Sequence, residues 1–101
     1  MEVLHLNKNN FKEEVMDYQG KVLIDFWAPW CSPCRMLGPV IEEVAEESTC
    51  KICKVNVDDE PELAQMFRVT SIPLLVVMEN GKMVKSSLGY IPKEEVLQLL
   101  K

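Results

Sequence analysis

The fold is decided by one stretch of the chain, residues 22–35, which reads Val22-Leu23-Ile24-Asp25-Phe26-Trp27-Ala28-Pro29-Trp30-Cys31-Ser32-Pro33-Cys34-Arg35. Its first half is nearly all apolar, as expected of a strand that is covered on both faces. Its second half places two thiols three residues apart, where a helix should begin. A thiol at a helix N-terminus faces unsatisfied backbone N–H groups and the positive end of the helix dipole, and both lower its pKa. We therefore predict that Cys31 is a reactive thiolate.

The second thiol, Cys34, lies one turn into the predicted helix on the same face as Cys31. From there it can attack a disulfide formed at Cys31 while it is itself shielded from bulk water. We expect Cys34 to resolve the reaction that Cys31 begins. A Cys-x-x-Cys pair alone is weak evidence because metal sites use the same spacing, but the order strand, pair, helix favours redox chemistry.

The rest of the chain is organised as one alternating domain without repeats or linkers. Apolar patterns predict five strands, at 3–6, 21–27, 51–57, 74–79 and 82–88. Helical spacing predicts four helices: one from Asn10 that Gly20 ends, a long one after Cys31, a short one over 60–67, and a last one opened by Pro92. The order βαβαβαββα implies a mixed sheet with helices on both faces.

Two of these elements carry strong local signals. The long helix is amphipathic, with apolar residues at 36, 37, 40, 41, 44 and 45 opposite four glutamates, and Pro39 inside it should kink it. The pair Asn80-Gly81 between the last two strands is the strongest two-residue signal for a hairpin turn.

Four motifs, in order along the chain, resemble those of the thioredoxin family. They are the active-site stretch from Asp25 to Met36, the third strand Lys54-Val55-Asn56-Val57-Asp58, the loop Val69-Thr70-Ser71-Ile72-Pro73 and the hairpin turn Asn80-Gly81-Lys82. The resemblance covers nearly the whole chain. It implies an α/β thioredoxin fold, with a central mixed five-stranded sheet flanked by four helices in a single domain over residues 1–101.

Asp25 is an acid inside an apolar strand. An edge-strand surface position would explain it, but its place between Ile24 and Phe26 favours a buried carboxyl whose pKa is raised by desolvation. The resemblance implies that this acid accepts the proton of the buried cysteine, through water. It also implies that the Lys54 amine lies near the acid, although a solvated strand lysine is an equal alternative.

The resemblance also implies a substrate-binding face. The Ile72–Pro73 bond is expected to be cis and to present the backbone of the preceding residue to a bound peptide. Trp30, Ile72 and Gly89 are expected to complete a shallow apolar docking face, the alternative being that Trp30 and Ile72 are core residues. Expected contact residues beside them are Ser32, Pro33, Ser71 and Pro73.

Three residues depart from the family pattern. Ser32 stands where most members have Gly, Ser71 replaces the more usual Gly or Thr, and Leu74 replaces the common Thr after the proline. These departures affect the expected redox potential and the choice of partners, but not the expected reaction.

A zinc protein is the main alternative class. Cys31-x-x-Cys34, fifteen residues and then Cys50-x-x-Cys53 fit the spacing of a four-cysteine zinc site. A mostly helical connection would separate the two pairs by roughly 20 Å, which is far too long for zinc ligation. Cys50 and Cys53 on one strand would point to opposite faces, about 10 Å apart. We therefore expect no metal site, and we expect His5, the one histidine, to be an exposed edge-strand residue.

Composition narrows the remaining possibilities. A chain of 101 residues that is 48% hydrophobic supports one small core, and its net charge of −5 disfavours nucleic acid and anionic membranes as partners. The longest apolar run, 72–78, is too short to span a bilayer, and the first six residues lack the features of a signal peptide. We expect a cytoplasmic protein, where four cysteines are more often reactive or buried thiols than structural disulfides.

The sequence thus predicts a monomeric protein-disulfide reductase that needs no bound cofactor. Its expected partners are disulfide-containing substrate proteins and a thioredoxin reductase that returns Cys31 and Cys34 to the dithiol. An oxidant or isomerase of the same fold is the alternative, but those enzymes commonly carry His between the cysteines, where this chain has Ser32-Pro33. A non-enzymatic binding module is a third possibility, which the two retained thiols disfavour.

Overall fold

The computed structural model describes residues 2–101, and a five-stranded mixed sheet runs through it. The strands are β1 (Val3–His5), β2 (Lys21–Trp27), β3 (Lys51–Asn56), β4 (Leu74–Glu79) and β5 (Lys82–Leu88). Their order in the sheet is β1-β3-β2-β4-β5. The first three strands of that order are parallel, and β4 and β5 are antiparallel to their neighbours. The predicted mixed five-stranded sheet is confirmed.

Within residues 2–101, four helices accompany the sheet. They are a short π-helix (Lys12–Met16) and the α-helices α1 (Ser32–Glu47), α2 (Pro61–Met66) and α3 (Lys93–Leu99). The predicted bounds of β2, β4 and β5 are confirmed, while β1 and β3 each end one residue before the predicted end. None of the helices in residues 2–101 has the length and the apolar composition needed to cross a membrane.

Strand β2 lies at the centre of the sheet, and both of its faces are covered. On one face Val22, Ile24 and Phe26 belong to a core cluster with Cys53 and Val55 of β3 and with Phe11 and Val15 near the π-helix. On the other face Leu23 belongs to a cluster with Leu37, Ile41 and Val44 of α1 and Val96 of α3. The continuous apolar run of β2 follows from this two-sided burial.

The first helix differs from the prediction. It ends at Met16, four residues before Gly20, so the prediction that Gly20 ends it is wrong. Gly20 instead has φ +138 and leads directly into β2. The Asn7 side chain organises the turn before the helix, because its Oδ1 accepts hydrogen bonds from the backbone N–H groups of Asn9 and Asn10.

Helix α1 is covered over only part of its apolar stripe. Its buried residues are Cys34, Leu37, Ile41, Val44 and Ala45. Met36, which we predicted to lie on the apolar face, is 62% exposed, so that part of the prediction is wrong. The helix continues through Pro39 to Glu47.

The last two strands meet in the predicted Asn-Gly turn. Asn80 and Gly81 have φ 52 and φ 80, both in the left-handed region that the tightest hairpin turns require. A side chain at Gly81 would also place its Cβ 2.6 Å from the backbone oxygen of Met16. The hairpin tip therefore packs against the end of the π-helix, at the opposite end of β4 from Leu74.

Candidate active site

Cys31 caps the N-terminus of α1. Its backbone is extended, with φ −92 and ψ 111, and its Sγ accepts a hydrogen bond from the backbone N–H of Cys34 at 3.3 Å. Pro33 lies in the first turn of the helix. Backbone N–H groups in that turn have no hydrogen-bond partner within the helix, so proline, which has no N–H, fits there without losing a bond. The sulfur therefore faces the donor end of the helix, which favours a thiolate over a thiol.

Cys31 and Cys34 are joined by a disulfide, with their Cα atoms 5.2 Å apart. Both are buried, with exposed fractions of 6% and 3%. They form a small cluster with Ala28, against which Trp27, Val57 and Ile72 pack. The predicted shielding of Cys34 is confirmed, and Cys31 itself is only slightly more accessible in the bonded state.

The loop before β4 closes over this pair. The Ile72–Pro73 bond is cis, as the family resemblance implied. The carbonyl oxygen of Ile72 lies 3.8 Å from Cys31 Sγ. Gly89, with φ +93, donates its backbone N–H to the carbonyl oxygen of Pro73 at 2.8 Å. Ile72 thus contacts the cysteine pair, and Gly89, which follows the end of β5, is held beside Pro73, which precedes the start of β4.

Most of the predicted substrate-contact residues around the cysteine pair are exposed to solvent. The Trp30 side chain is 67% exposed, which rules out the alternative that it is a core residue. Its Nε1–H donates to both carboxylate oxygens of Asp58, at 3.0 and 3.3 Å. Ser32, Pro33 and Ser71 are exposed, Ile72 is half-buried and Pro73 is buried.

Asp25 is fully buried on the sheet face that α1 covers. Leu23 and Trp27 lie two residues before and after it, and residues two apart on a strand share a face. Leu23 belongs to the α1 core cluster and Trp27 packs on the cysteine cluster, so Asp25 lies on that face as well. No group in residues 2–101 hydrogen-bonds to either of its carboxyl oxygens. Desolvation raises the pKa of Asp25 to about 6, and the charge of Lys54 opposes that rise. The predicted burial and raised pKa are confirmed.

Lys54 lies beside this acid on the neighbouring strand. It is paired with Asp25 in the β2–β3 register and with His5 in the β1–β3 register. Its Nζ lies 4.7 Å from the centre of the Trp27 ring, and the residue is half-buried. The structure thus favours the lysine near the acid over the fully solvated alternative. His5 is exposed on the edge strand, as predicted.

Comparison with known proteins agrees with this geometry. The family model described as Thioredoxin matches residues 2–101. The thioredoxin of Pyropia yezoensis is 42% identical over 102 residues, which cover 99% of this chain and 95% of that protein. The thioredoxin of Haemophilus influenzae is 42% identical over 98% of this chain and 94% of its own length. Thioredoxin 1 of Nostoc is 44% identical over 91% of this chain and 88% of its own length.

The chain belongs to the thioredoxin family. Thioredoxins are thiol–disulfide oxidoreductases, and the bonded Cys31–Cys34 pair at the start of α1 is the redox centre of such an enzyme. The α/β thioredoxin fold predicted from the resemblance is therefore confirmed.

Two residues of this site were not predicted from the sequence. One is Asp58, the hydrogen-bond acceptor of Trp30. The other is Arg35, which contacts Pro29 and Ser32. The separation of Ser32 and Arg35 by three residues on a helix was an available signal, because side chains at that spacing are neighbours. No comparable local signal links Trp30 to Asp58, since they are 28 residues apart.

The second cysteine pair has a different geometry. Cys53 is fully buried in the core cluster on one face of the sheet, and Cys50 packs against the cluster on the other face. The predicted opposite placement is confirmed, and it is incompatible with two adjacent ligands of one zinc ion. Within residues 2–101 no three His, Cys, Asp or Glu side chains are grouped so that they could hold a metal ion.

Proposed function

We propose that this thioredoxin reduces disulfide bonds in other proteins, with Cys31 as the attacking thiolate. The observation that carries the proposal is the placement of Cys31 Sγ at the donor end of α1, bonded to a buried partner thiol. A helix N-terminus stabilises the anionic sulfur, and the anion is the nucleophile in thiol–disulfide exchange.

The reaction consists of two exchanges. The Cys31 thiolate attacks one sulfur of the substrate disulfide, which forms a mixed disulfide and releases the other substrate sulfur as a thiolate. Cys34 then loses its proton and attacks Cys31 Sγ, which forms the Cys31–Cys34 bond and releases the second substrate thiolate. Two electrons pass from the cysteine pair to the substrate, and the released thiolates take up protons.

Asp25 is the proposed acceptor of the Cys34 proton. It lies on the face of β2 that α1 covers, and its oxygens have no protein partner, so they remain available to accept a proton. Its pKa of about 6 lets the carboxyl both take up and release a proton near neutral pH. Lys54, in register with Asp25, opposes the rise in the pKa of this carboxyl. It thereby favours the ionised form, which is the form that accepts a proton.

The proposed docking face surrounds the cysteines. Trp30, which is exposed, and Ile72, which is half-buried, provide its apolar surface, and we expect the backbone next to Pro73 to pair with an extended substrate segment. The other proposed contact residues are Ser32, Pro33, Ser71 and Gly89.

The proposed partners are disulfide-containing proteins and a thioredoxin reductase, which regenerates the dithiol. We also propose that residues 1–101 form one monomeric domain, although Met1 lies outside the described residues, and that it acts in the cytoplasm. One relative, from Oryza sativa, is named chloroplastic, so the proposed compartment needs a direct test by localising the tagged protein.

A turnover assay tests the proposed activity. The protein is mixed with a disulfide-bonded protein and with dithiothreitol as the electron source, and reduction is followed against dithiothreitol alone. We expect the wild type to accelerate reduction, and Cys31→Ser and Cys34→Ser to remove the acceleration. A wild type that does not accelerate reduction would overturn the proposal.

A second measurement separates a reductase from an oxidant or isomerase of the same fold. The equilibrium between the Cys31–Cys34 disulfide and a glutathione buffer gives the reduction potential of the pair. A reductase is expected to stay reduced only in strongly reducing buffer. A pair that is already reduced at the potential of protein disulfide isomerase would favour the alternative.

A further inference from the structure

The Arg35 side chain makes two hydrogen bonds at the active site. Its Nη1–H donates to the backbone carbonyl oxygen of Pro29 at 3.0 Å, and its Nη2–H donates to Oγ of Ser32 at 3.1 Å. A guanidinium presents its N–H groups in a rigid planar fork, so it can hold two acceptors at a fixed separation.

The two acceptors lie on either side of Cys31. Pro29 precedes Cys31 by two residues, and Ser32 follows it directly. Arg35 is also the residue whose backbone N–H makes the first helical hydrogen bond to the Cys31 carbonyl oxygen, at 3.1 Å. One side chain thus connects the segment that enters the cysteine to the first turn of the helix that leaves it.

The hydrogen-bonded connection across Cys31 matters at the step of the redox cycle in which the Cys31–Cys34 bond is open. In the oxidised protein the bond to Cys34 already fixes the position of Cys31. In the mixed-disulfide intermediate the Cys31–Cys34 bond is open, and the sulfur of Cys31 must stay within reach of Cys34 for the second exchange. A hydrogen-bonded bridge across Cys31 keeps it there because it does not depend on the disulfide.

We propose that Arg35 and Ser32 form a clamp that positions Cys31 while the Cys31–Cys34 bond is open. Arg35 is a positioning residue here, since it acts through the backbone around Cys31 and does not touch the reacting sulfur. The proposal rests on the assignment of Cys31 as the attacking thiol. It also gives a role to Ser32, because glycine at that position has no side-chain oxygen for the guanidinium to contact.

The clamp acts mainly on the second exchange. Attack on a substrate depends on the thiolate fraction of Cys31 and on encounter with the substrate. Resolution is intramolecular, and its rate depends on how often Cys34 and the Cys31 sulfur are correctly placed. Loss of the clamp should therefore slow resolution more than attack.

A double-mutant cycle tests the proposal. The four proteins are the parent, Arg35→Ala, Ser32→Ala and the double variant, all carrying Cys50→Ala so that the half-exposed second thiol does not react. Each reduced protein is mixed with excess 2,2′-dithiodipyridine, an uncharged disulfide whose released thione absorbs light. The first release reports attack by Cys31, and its rate rises with reagent concentration. The second release reports resolution by Cys34, and its rate does not.

Each single substitution should slow resolution about threefold, which is the size expected for one exposed, charge-assisted contact. Ser32→Ala should have almost no further effect in the Arg35→Ala protein, because the bridge is already open there. Arg35→Lys keeps the charge but loses the planar fork, so it should resolve as slowly as Arg35→Ala. Lys82→Ala and Ser86→Ala, which remove a similar charge and hydroxyl from exposed positions of β5, should leave both phases unchanged.

The outcomes separate this proposal from the proposed function. Additive effects of the two substitutions, or a resolution rate that none of them changes, would overturn the clamp even if the wild type reduces protein disulfides. Full activity of Arg35→Lys would show that the charge acts and the fork does not, and would overturn it as well. If the wild type fails to reduce protein disulfides but the cycle shows coupling, the clamp stands and the proposed function fails.

Discussion

The Cys-x-x-Cys spacing occurs twice in this chain, and the two pairs have opposite properties. Cys31 and Cys34 lie at the start of a helix with their Cα atoms 5.2 Å apart, and they are bonded. Cys50 directly precedes β3 and Cys53 lies in it; they contact the clusters on opposite faces of the sheet and are free thiols. The same spacing in sequence therefore gives a redox centre in one place and two unrelated side chains in the other.

Backbone geometry explains the difference. Residues three apart on a helix share a face, whereas residues three apart on a strand point to opposite faces. The environments of the thiols differ as well. Cys31 Sγ accepts a backbone N–H at the helix start, while burial raises the pKa of Cys53 to about 12 despite the nearby charge of Lys51. Only the first pair combines proximity with stabilisation of a thiolate.

The largest expected effect is on disulfide reduction. Replacing Cys31 and Cys34 together with Ala should reduce the catalysed rate to background, because no nucleophile remains at the docking face. Replacing Cys50 and Cys53 together with Ala should leave the rate within about twofold of wild type, since neither contacts the site. The turnover assay with dithiothreitol measures both. Loss of activity in the second variant, with the fold intact by circular dichroism, would mean that the second pair takes part in the reaction.

The next largest effect concerns Asp25, a buried acid that the second cysteine pair lacks. Its folded pKa of about 6 lies above the ordinary value of 3.8. Stability associated with this carboxyl is present below pH 3.8 and is lost as the pH rises through about 6. Asp25→Asn removes that loss, so its stability gain over wild type should grow by about 2 kcal/mol between pH 4 and pH 8.

Urea unfolding at several pH values measures this gain, and the resolution rate should fall in the same variant. The parallel substitution Asp17→Asn, at an exposed carboxylate, is the control and should show no comparable growth. A gain at Asp25 that is independent of pH would show that the carboxyl is not the titrating group.

A smaller effect is expected at Cys53, where burial can be separated from chemistry. Cys53→Ala removes one fully buried sulfur and should cost about 1 kcal/mol of unfolding free energy. Cys53→Ser buries a hydroxyl among apolar side chains and should cost more, by about 1–3 kcal/mol relative to Ala if it finds no partner. Chemical denaturation ranks the two variants. Equal stability of Ser and Ala would mean that water or a polar group reaches this position.

The smallest effect is expected at Cys50. This thiol is half-buried beside the α1 core cluster, and Cys50→Ala should change stability by less than about 0.5 kcal/mol. In native, reduced protein, a thiol reagent should modify Cys31 fastest, Cys50 more slowly and Cys53 only after unfolding. Peptide mapping by mass spectrometry gives this order, and rapid labelling of Cys53 would contradict the assigned burial.

Much of this fold is encoded locally, and three strands show why. The apolar run of β2, the apolar run of β4 and the Asn-Gly turn that joins β4 to β5 are short-range patterns, and the predicted bounds of these three strands match the structure. Burial of Asp25 followed from its apolar strand neighbours. These features depend on residues that are adjacent in the sequence or paired across a tight turn.

Other features depend on what lies opposite in space. Met36 has helical spacing with buried residues but is exposed, since a helix face is covered only where another element lies against it. The link between Trp30 and Asp58 joins distant segments, and the fork of Arg35 depends on a side-chain rotamer. The cis bond before Pro73 came from the family resemblance alone. Apart from the three-residue spacing of Ser32 and Arg35 on a helix, periodicity carries none of this information.

Trapping of the mixed disulfide tests the central claim most directly, namely that position at the helix start makes Cys31 the attacking thiol. Each of Cys31→Ser and Cys34→Ser is reduced, freed of reductant, mixed with a disulfide-bonded protein and separated on a non-reducing gel, and the linked peptides are identified by mass spectrometry. We predict that Cys34→Ser accumulates a covalent complex joined through Cys31, and that Cys31→Ser accumulates none. A complex formed only by Cys31→Ser, or one joined through Cys50, would contradict the assignment.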